Sequence, residues 1–199
     1  MALSPDARRE AGRIVARYPE PRSALLPLLY LVQAEQGYVT REGMQEVAEI
    51  LSLTTAEVEA VATYYTMFKK GPTGKWLISV CTNLSCALAG GRKLYERALE
   101  ALGPGAATST EDGAFTVEEV ECLAACDAAP VVQINYCNYD RVGEEQLLQM
   151  LEQLRNDDVP SPSRGPAPVP HADTARVLMG MGRPGRDVAA PRTEEPAGG

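Results

Sequence analysis

The sequence predicts an α/β fold, in which a small all-helical bundle precedes an α/β sandwich and a disordered tail follows it. Apolar residues at the start of the chain recur at helical spacing, and strand-like and helix-like segments then alternate. The end of the chain is rich in Pro, Gly, Ala and Arg. We therefore divide the chain into a helical bundle (residues 1–70), an α/β domain (residues 71–157) and a tail (residues 158–199).

The helical bundle has the pattern of four short amphipathic helices. Ser4 followed by Pro5 is typical of a helix start, and Gly37 is typical of a helix end. Thr54 with Glu57 three residues later predicts a capping box that opens the fourth helix. Apolar side chains at helical spacing mark the second and third helices: Leu25, Leu28, Leu29 and Val32, then Met44, Val47, Ala48 and Leu51. Helices this short need partners, so we expect them to pack on one another or on the next domain.

The α/β domain carries its strand and helix signals in the order β-α-β-β-(β)-α. Apolar or alternating runs lead directly into Cys81 and Cys122, and they predict the first two strands. The predicted strands cover residues 75–80, 115–120 and 131–135, with a short fourth strand within 138–141, and the predicted helices cover residues 89–102 and 144–154. This order describes an α/β sandwich of thioredoxin size.

The tail has no Phe, Trp or Tyr and few β-branched residues. It contains five Arg and five Asp or Glu, so the whole formal charge of −8 lies on residues 1–157. Such a segment buries too little apolar surface to offset the entropy of ordering, and we expect it to be disordered. His171, the one histidine of the chain, is then expected in solvent.

Composition and charge exclude several classes of function. A net charge of −8 argues against a nucleic-acid-binding protein and suits a protein that docks on a specific partner. The sequence contains no run of about 18 apolar residues, so no membrane-spanning helix is predicted. No signal peptide is evident either, and we therefore expect a cytoplasmic protein. The sequence contains neither a G-x-G-x-x-G nor a G-x-x-x-x-G-K-[ST] motif, so we expect no NAD, FMN or ATP site on this chain. We also expect no catalytic residues.

Four of the five cysteines form two pairs. Cys81 and Cys86 have the spacing C-x4-C, and Cys122 and Cys126 have the spacing C-x3-C. Each pair follows a predicted strand, so four thiolates converge if these strands are neighbours. Without a secretion signal, a metal site is a better interpretation than a disulfide framework. We expect Cys137, outside the pairs, to be a partly buried small side chain at a strand end.

The spacing leaves three interpretations open. Structural zinc usually binds C-x2-C pairs, whereas wider pairs suit a [2Fe–2S] cluster in which each pair binds one iron. Small residues around the first pair would let backbone N–H groups approach cluster sulfurs: Ser85, Ala87, Ala89, Gly90 and Gly91. Redox-active or inert thiols are the third interpretation.

The segments around the cysteines resemble the E-type subunits of NADH–quinone oxidoreductase, the family of thioredoxin-like [2Fe–2S] subunits in the peripheral arm of respiratory complex I. The resemblance spans residues 13–155, most of the chain. Four segments carry it: 80–86 with Gly90 and Gly91, 118–126 with Ala129–Pro130–Val131, 22–29, and 61–68. The sequence departs from the family pattern at residues 136–142 and in the tail.

The resemblance implies a fold, a cofactor and partners. It implies a thioredoxin-like [2Fe–2S] domain whose cluster ligands are Cys81, Cys86, Cys122 and Cys126. It also implies docking on a flavin- and NADH-binding subunit, beside a neighbouring peripheral-arm iron–sulfur subunit, with FMN and NADH carried by the partner. The complex would lie on the cytoplasmic side of the plasma membrane. Related subunits serve NAD-linked hydrogenases and formate dehydrogenases, and a zinc-binding interaction module is the alternative from a different class.

Overall fold

The computed structural model describes residues 3–103 and 105–179. The helical bundle contains α1 (Pro5–Val15), α2 (Leu25–Gln36), α3 (Arg41–Leu51) and α4 (Thr55–Tyr64), with a 3-10 helix at Pro21–Ala24. Ser4 accepts a hydrogen bond from Ala7 N, and Thr54 and Glu57 form both bonds of a capping box. Gly37 ends α2 in the left-handed conformation, with φ 82°. The helix signals in the sequence are therefore confirmed.

Helix α2 is the centre of the bundle. The sequence predicts one apolar face, but the structure buries α2 on nearly all sides: Leu25, Leu28, Leu29, Leu31, Val32, Gln33 and Ala34. The reason is that α1, α3, α4 and a later helix all pack against it. Its one buried polar side chain, Gln33, is satisfied by the backbone of Met67 and Lys69.

The α/β domain contains a four-stranded mixed sheet in the order β2-β1-β3-β4. The strands are β1 (Trp76–Cys81), β2 (Phe115–Val120), β3 (Val132–Ile134) and β4 (Cys137–Tyr139). Strand β2 pairs with β1 in parallel, whereas β3 and β4 continue the sheet in antiparallel fashion. Because β1 and β2 are parallel neighbours with Cys81 opposite Val120, the loops that follow them leave the same edge of the sheet.

Three helices complete the α/β domain: α5 (Leu84–Leu88), α6 (Gly91–Leu102) and α7 (Glu144–Arg155). The predicted order of strands and helices is confirmed, and the helix predicted over residues 89–102 is α6. The short helix α5 before it was not predicted, and Gly90, which has φ 98°, lies between the two. Gly91 is needed for a different reason, since a Cβ atom there would lie 2.4 Å from the Cys81 carbonyl oxygen. No helix among the described residues is long and apolar enough to cross a membrane.

Residues 158–179, which we call the strap, differ from the predicted disordered tail. The strap runs back over the α/β domain and ends in α8 (His171–Leu178), which packs on α2. Its residues Ala175 and Thr174 are buried, and Met179 packs on the core of the helical bundle. Residues 180–199, the remainder of the predicted tail, lie outside the described residues.

Polar contacts hold the strap to β4 and to the turn between β3 and β4. Ser163 N donates to Asn138 O at 2.8 Å, and Arg164 Nη2 lies 2.8 Å from both carboxylate oxygens of Asp140. Further along, Asn135 Nδ2 donates to Val169 O at 2.7 Å. The strap therefore connects the sheet with the helical bundle. Composition misses this because its stabilising contacts are made with residues far away in sequence.

His171 is buried, so its expected place in solvent is wrong. Only 4% of the residue is exposed, and its backbone N–H donates to Lys75 O at 2.9 Å. The ring lies beside Tyr136, with 6.0 Å between ring centroids. Burial lowers the pKa of His171 to about 4, with nearby Lys69 adding to this effect. The ring is therefore neutral at neutral pH.

Candidate metal centre

The two cysteine pairs lie at the edge of the sheet where β1 and β2 end. Cys81 is the last residue of β1 and Cys86 lies in α5. Cys122 and Cys126 lie in the loop after β2, and Cys126 begins a 3-10 helix at Cys126–Ala128. The parallel pairing of β1 with β2 brings these loops side by side, as the sequence predicts for neighbouring strands.

All four of these cysteines line one cavity of about 240 Å³. Its other lining residues are Asn83, Leu84 and Ser85, which belong to the segment between the first two cysteines. Cys81 and Cys86 are each only 3% exposed, whereas Cys122 and Cys126 are exposed. The centre therefore has a closed side formed by the first pair and an open side formed by the second.

The spacing of the second pair suits a tetrahedral metal. The Sγ atoms of Cys122 and Cys126 are 3.9 Å apart. Four sulfurs placed tetrahedrally at about 2.3 Å from a metal are separated by about 3.8 Å. The two side chains therefore already have the separation at which they can bind one metal ion together.

The thiols are crowded in a way that disfavours free thiolates. Burial raises the pKa of Cys86 to about 11, with Cys81 adding to the increase. A hydrogen bond with Cys122 and its charge raise the pKa of Cys126. Like charges brought together need a compensating cation, and a bound metal supplies it while displacing the protons. This donor set fits an iron–sulfur cluster.

A backbone group adds a donor directed at one of the sulfurs. Ala124 N donates to Cys122 Sγ at 3.4 Å, from a backbone with φ 55°. Such N–H donors stabilise negative charge on ligand sulfurs and tune the reduction potential. No pattern in the sequence points to this residue.

The four cysteines belong to two pairs on two loops. Among residues 3–103 and 105–179, no three His, Cys, Asp or Glu side chains form a group for a single metal ion. A structural zinc site needs four ligands around one point, whereas a two-iron cluster is bound by two pairs, each at its own iron.

Cys137 lies apart from these four cysteines. It begins β4, is partly buried, and its Sγ lies 3.6 Å from Pro166 O in the strap. Burial raises the pKa of this thiol. The prediction of a partly buried side chain at a strand end is therefore confirmed.

Comparison with known proteins gives a consistent result. Residues 11–155 match the model of the thioredoxin-like [2Fe-2S] ferredoxin family. The E-type subunit of the NADH-quinone oxidoreductase of Mycobacterium tuberculosis (strain ATCC 25618 / H37Rv) is 45% identical over 172 residues, which are 86% of this chain and 68% of that protein. NADH-quinone oxidoreductase subunit 2 of Thermus thermophilus is 43% identical over 122 residues, 60% of this chain and 67% of that protein.

A solved structure shares the fold. The chain is similar to the NAD+-reducing [NiFe]-hydrogenase in its air-oxidized state, with a TM-score of 0.58 and 22% sequence identity. The similarity covers 67% of this chain and only 23% of the hydrogenase chain. At this identity the likeness concerns the fold alone.

Proposed function

Because the chain belongs to the thioredoxin-like [2Fe-2S] ferredoxin family, we propose that it is the electron-transfer subunit of an NADH–quinone oxidoreductase, respiratory complex I. Its curated relatives are subunits of this oxidoreductase. The single observation that carries the proposal is the convergence of two cysteine pairs on one cavity at the edge of the sheet.

We assign Cys81, Cys86, Cys122 and Cys126 as the ligands of one [2Fe–2S] cluster, with each pair at one iron. When bound, the cluster accepts and donates single electrons. The protein supplies four thiolates, shields the first pair from water and leaves the second pair open. No residue of the chain is assigned to bond-making chemistry on a substrate.

The open side of the centre suits exchange of an electron with a partner. In this proposal the partner is the flavin- and NADH-binding subunit, which carries the FMN and NADH, and a peripheral-arm iron–sulfur subunit lies nearby. The complex lies on the cytoplasmic side of the plasma membrane. In this proposal the chain has no nucleic-acid partner and reaches the membrane only through the complex.

An equivalent diaphorase subunit of an NAD-linked hydrogenase or formate dehydrogenase is the second candidate. The fold similarity to an NAD+-reducing [NiFe]-hydrogenase is compatible with it. The relatives at 45% identity favour the complex I assignment. The zinc module is disfavoured because the chain belongs to the thioredoxin-like [2Fe-2S] ferredoxin family.

The test is an anaerobic purification with iron, sulfide and zinc analysis, followed by EPR after dithionite reduction. We expect about two iron and two sulfide per chain and a signal only in the reduced protein. Cys81→Ser and Cys122→Ala should lose that signal, whereas the matched control Cys137→Ser should keep it. Bound zinc without sulfide would overturn the cofactor, and intact signals in both ligand variants would overturn the ligand set.

The partner assignment needs a separate measurement. Co-expression with the flavin-binding subunit of complex I should yield a stable complex in which NADH reduces the EPR-active centre. Co-purification only with a hydrogenase or formate dehydrogenase flavoprotein would instead select the second candidate.

A further inference from the structure

A side-chain hydrogen bond connects the two cysteine loops next to the metal centre. Thr82, directly after Cys81, donates from Oγ1 to Glu119 Oε1 at 2.6 Å. Glu119 lies three residues before Cys122, in β2. The backbone makes a parallel link, since Thr82 N donates to Val120 O at 3.1 Å. The start of the first loop is therefore fastened to the strand that leads into the second.

A second contact joins the same two loops. Asn83 belongs to the first loop and lines the cavity together with the four cysteines. Its Nδ2 atom donates to Glu121 Oε2 at 3.5 Å, and Glu121 directly precedes Cys122.

We propose that Thr82 is a positioning residue of the metal centre, which holds the loop of the first cysteine pair against the loop of the second through its bond to Glu119. The inference rests on the proposed function, because it requires the cluster to be bound by these four cysteines.

The physical reason is that each pair of ligands comes from its own loop. If the loops move apart, the two pairs separate and the cluster becomes accessible to water and chelators. Residues that orient metal ligands typically change metal affinity by about 10- to 100-fold when they are replaced. Thr82, whose bond joins the loops without touching a sulfur, should therefore affect how long the cluster persists.

The first experiment measures cluster persistence in the full-length protein. Thr82→Val keeps the side-chain shape and removes the hydroxyl. We expect the rate of bleaching by a chelator to rise about tenfold. Thr63→Val is the matched control, because the Thr63 hydroxyl bonds only to carbonyls of its own helix. Equal bleaching rates in Thr82→Val and the wild type would overturn the role of Thr82.

The second experiment tests whether the hydroxyl itself is responsible. Thr82→Ser retains a hydroxyl that can donate to Glu119, and it should bleach at the rate of the wild type. A bleaching rate in Thr82→Ser as fast as that of Thr82→Val would overturn the role of the hydroxyl. A wild-type protein without a [2Fe–2S] signal would refute the proposed function itself, so the two failures are distinguishable.

Discussion

Acidification should release the strap through its one histidine. His171 is 4% exposed and begins α8, the helix that packs on α2. Its Nε2 atom is buried and has no hydrogen-bond partner among the described residues. A proton on this ring would create a buried charge, with the Lys69 ammonium opposing it and the Glu118 carboxylate only partly compensating. Protonation of the ring therefore disfavours its buried position.

The pKa of His171 gives the size of this effect. Burial lowers the pKa from 6.5 to about 4, and each pKa unit corresponds to 1.36 kcal/mol, so the difference is about 3 kcal/mol. Because the folded pKa is depressed, the stabilisation is fully present above pH 6.5. It is lost progressively as the pH falls toward 4, and about 2 kcal/mol is gone at pH 5.

Two measurements check this reasoning. The chain has a single histidine, so proton NMR of untagged protein gives one imidazole titration, which we expect to stay neutral down to about pH 4. Hydrogen exchange, corrected for intrinsic rates, should show faster exchange in residues 158–179 at pH 5 than at pH 7. His171→Phe keeps a ring and removes the titration. In this variant the increase in strap exchange between pH 7 and pH 5 should be smaller than in the wild type. A midpoint near 6.5 in the folded protein would refute the argument.

The remaining predictions concern packing and the strap. Gly91→Ala should reduce cluster content, because its Cβ would lie 2.4 Å from the Cys81 carbonyl oxygen, and iron analysis checks this against Gly12→Ala, which meets nothing within 4 Å. Leu28→Ala should lower the free energy of unfolding by about 2–5 kcal/mol in urea titrations, because Leu28 is fully buried in α2. An unchanged midpoint would contradict its central position. Arg164→Ala removes an exposed ion pair and should weaken strap attachment by at most about 1 kcal/mol. Hydrogen exchange should therefore rise in the strap alone, and an equal rise in the helical bundle would argue against a local effect.

Local sequence signals predicted the elements that depend on local interactions. The second strand has the predicted bounds, Phe115–Val120, because its alternating side chains match a half-buried strand. The capping box at Thr54 and the stop at Gly37 were predictable because each acts within one turn of helix. Element ends that depend on tight turns were less accurate, and the short helix α5 before Gly90 was missed.

Two features near the site were not predictable from the sequence. The Ala129–Pro130 bond is cis, whereas most bonds before proline are trans. The N–H donor to the Cys122 sulfur comes from Ala124, whose side chain carries no signal for that role. Both features depend on the path of the backbone around the cavity.

The sequence by itself determined the two cysteine pairs and their positions after strands, which was enough to predict a metal centre. The tertiary structure decided how those pairs meet, through the parallel pairing of β1 with β2. It also decided that residues 158–179 form a strap rather than part of a disordered tail. Local propensity extends over a few residues, whereas the bonds from Asn135 to Val169 and from Thr82 to Glu119 join segments 34 and 37 residues apart. Such contacts depend on shape complementarity, which forms only when the chain is folded.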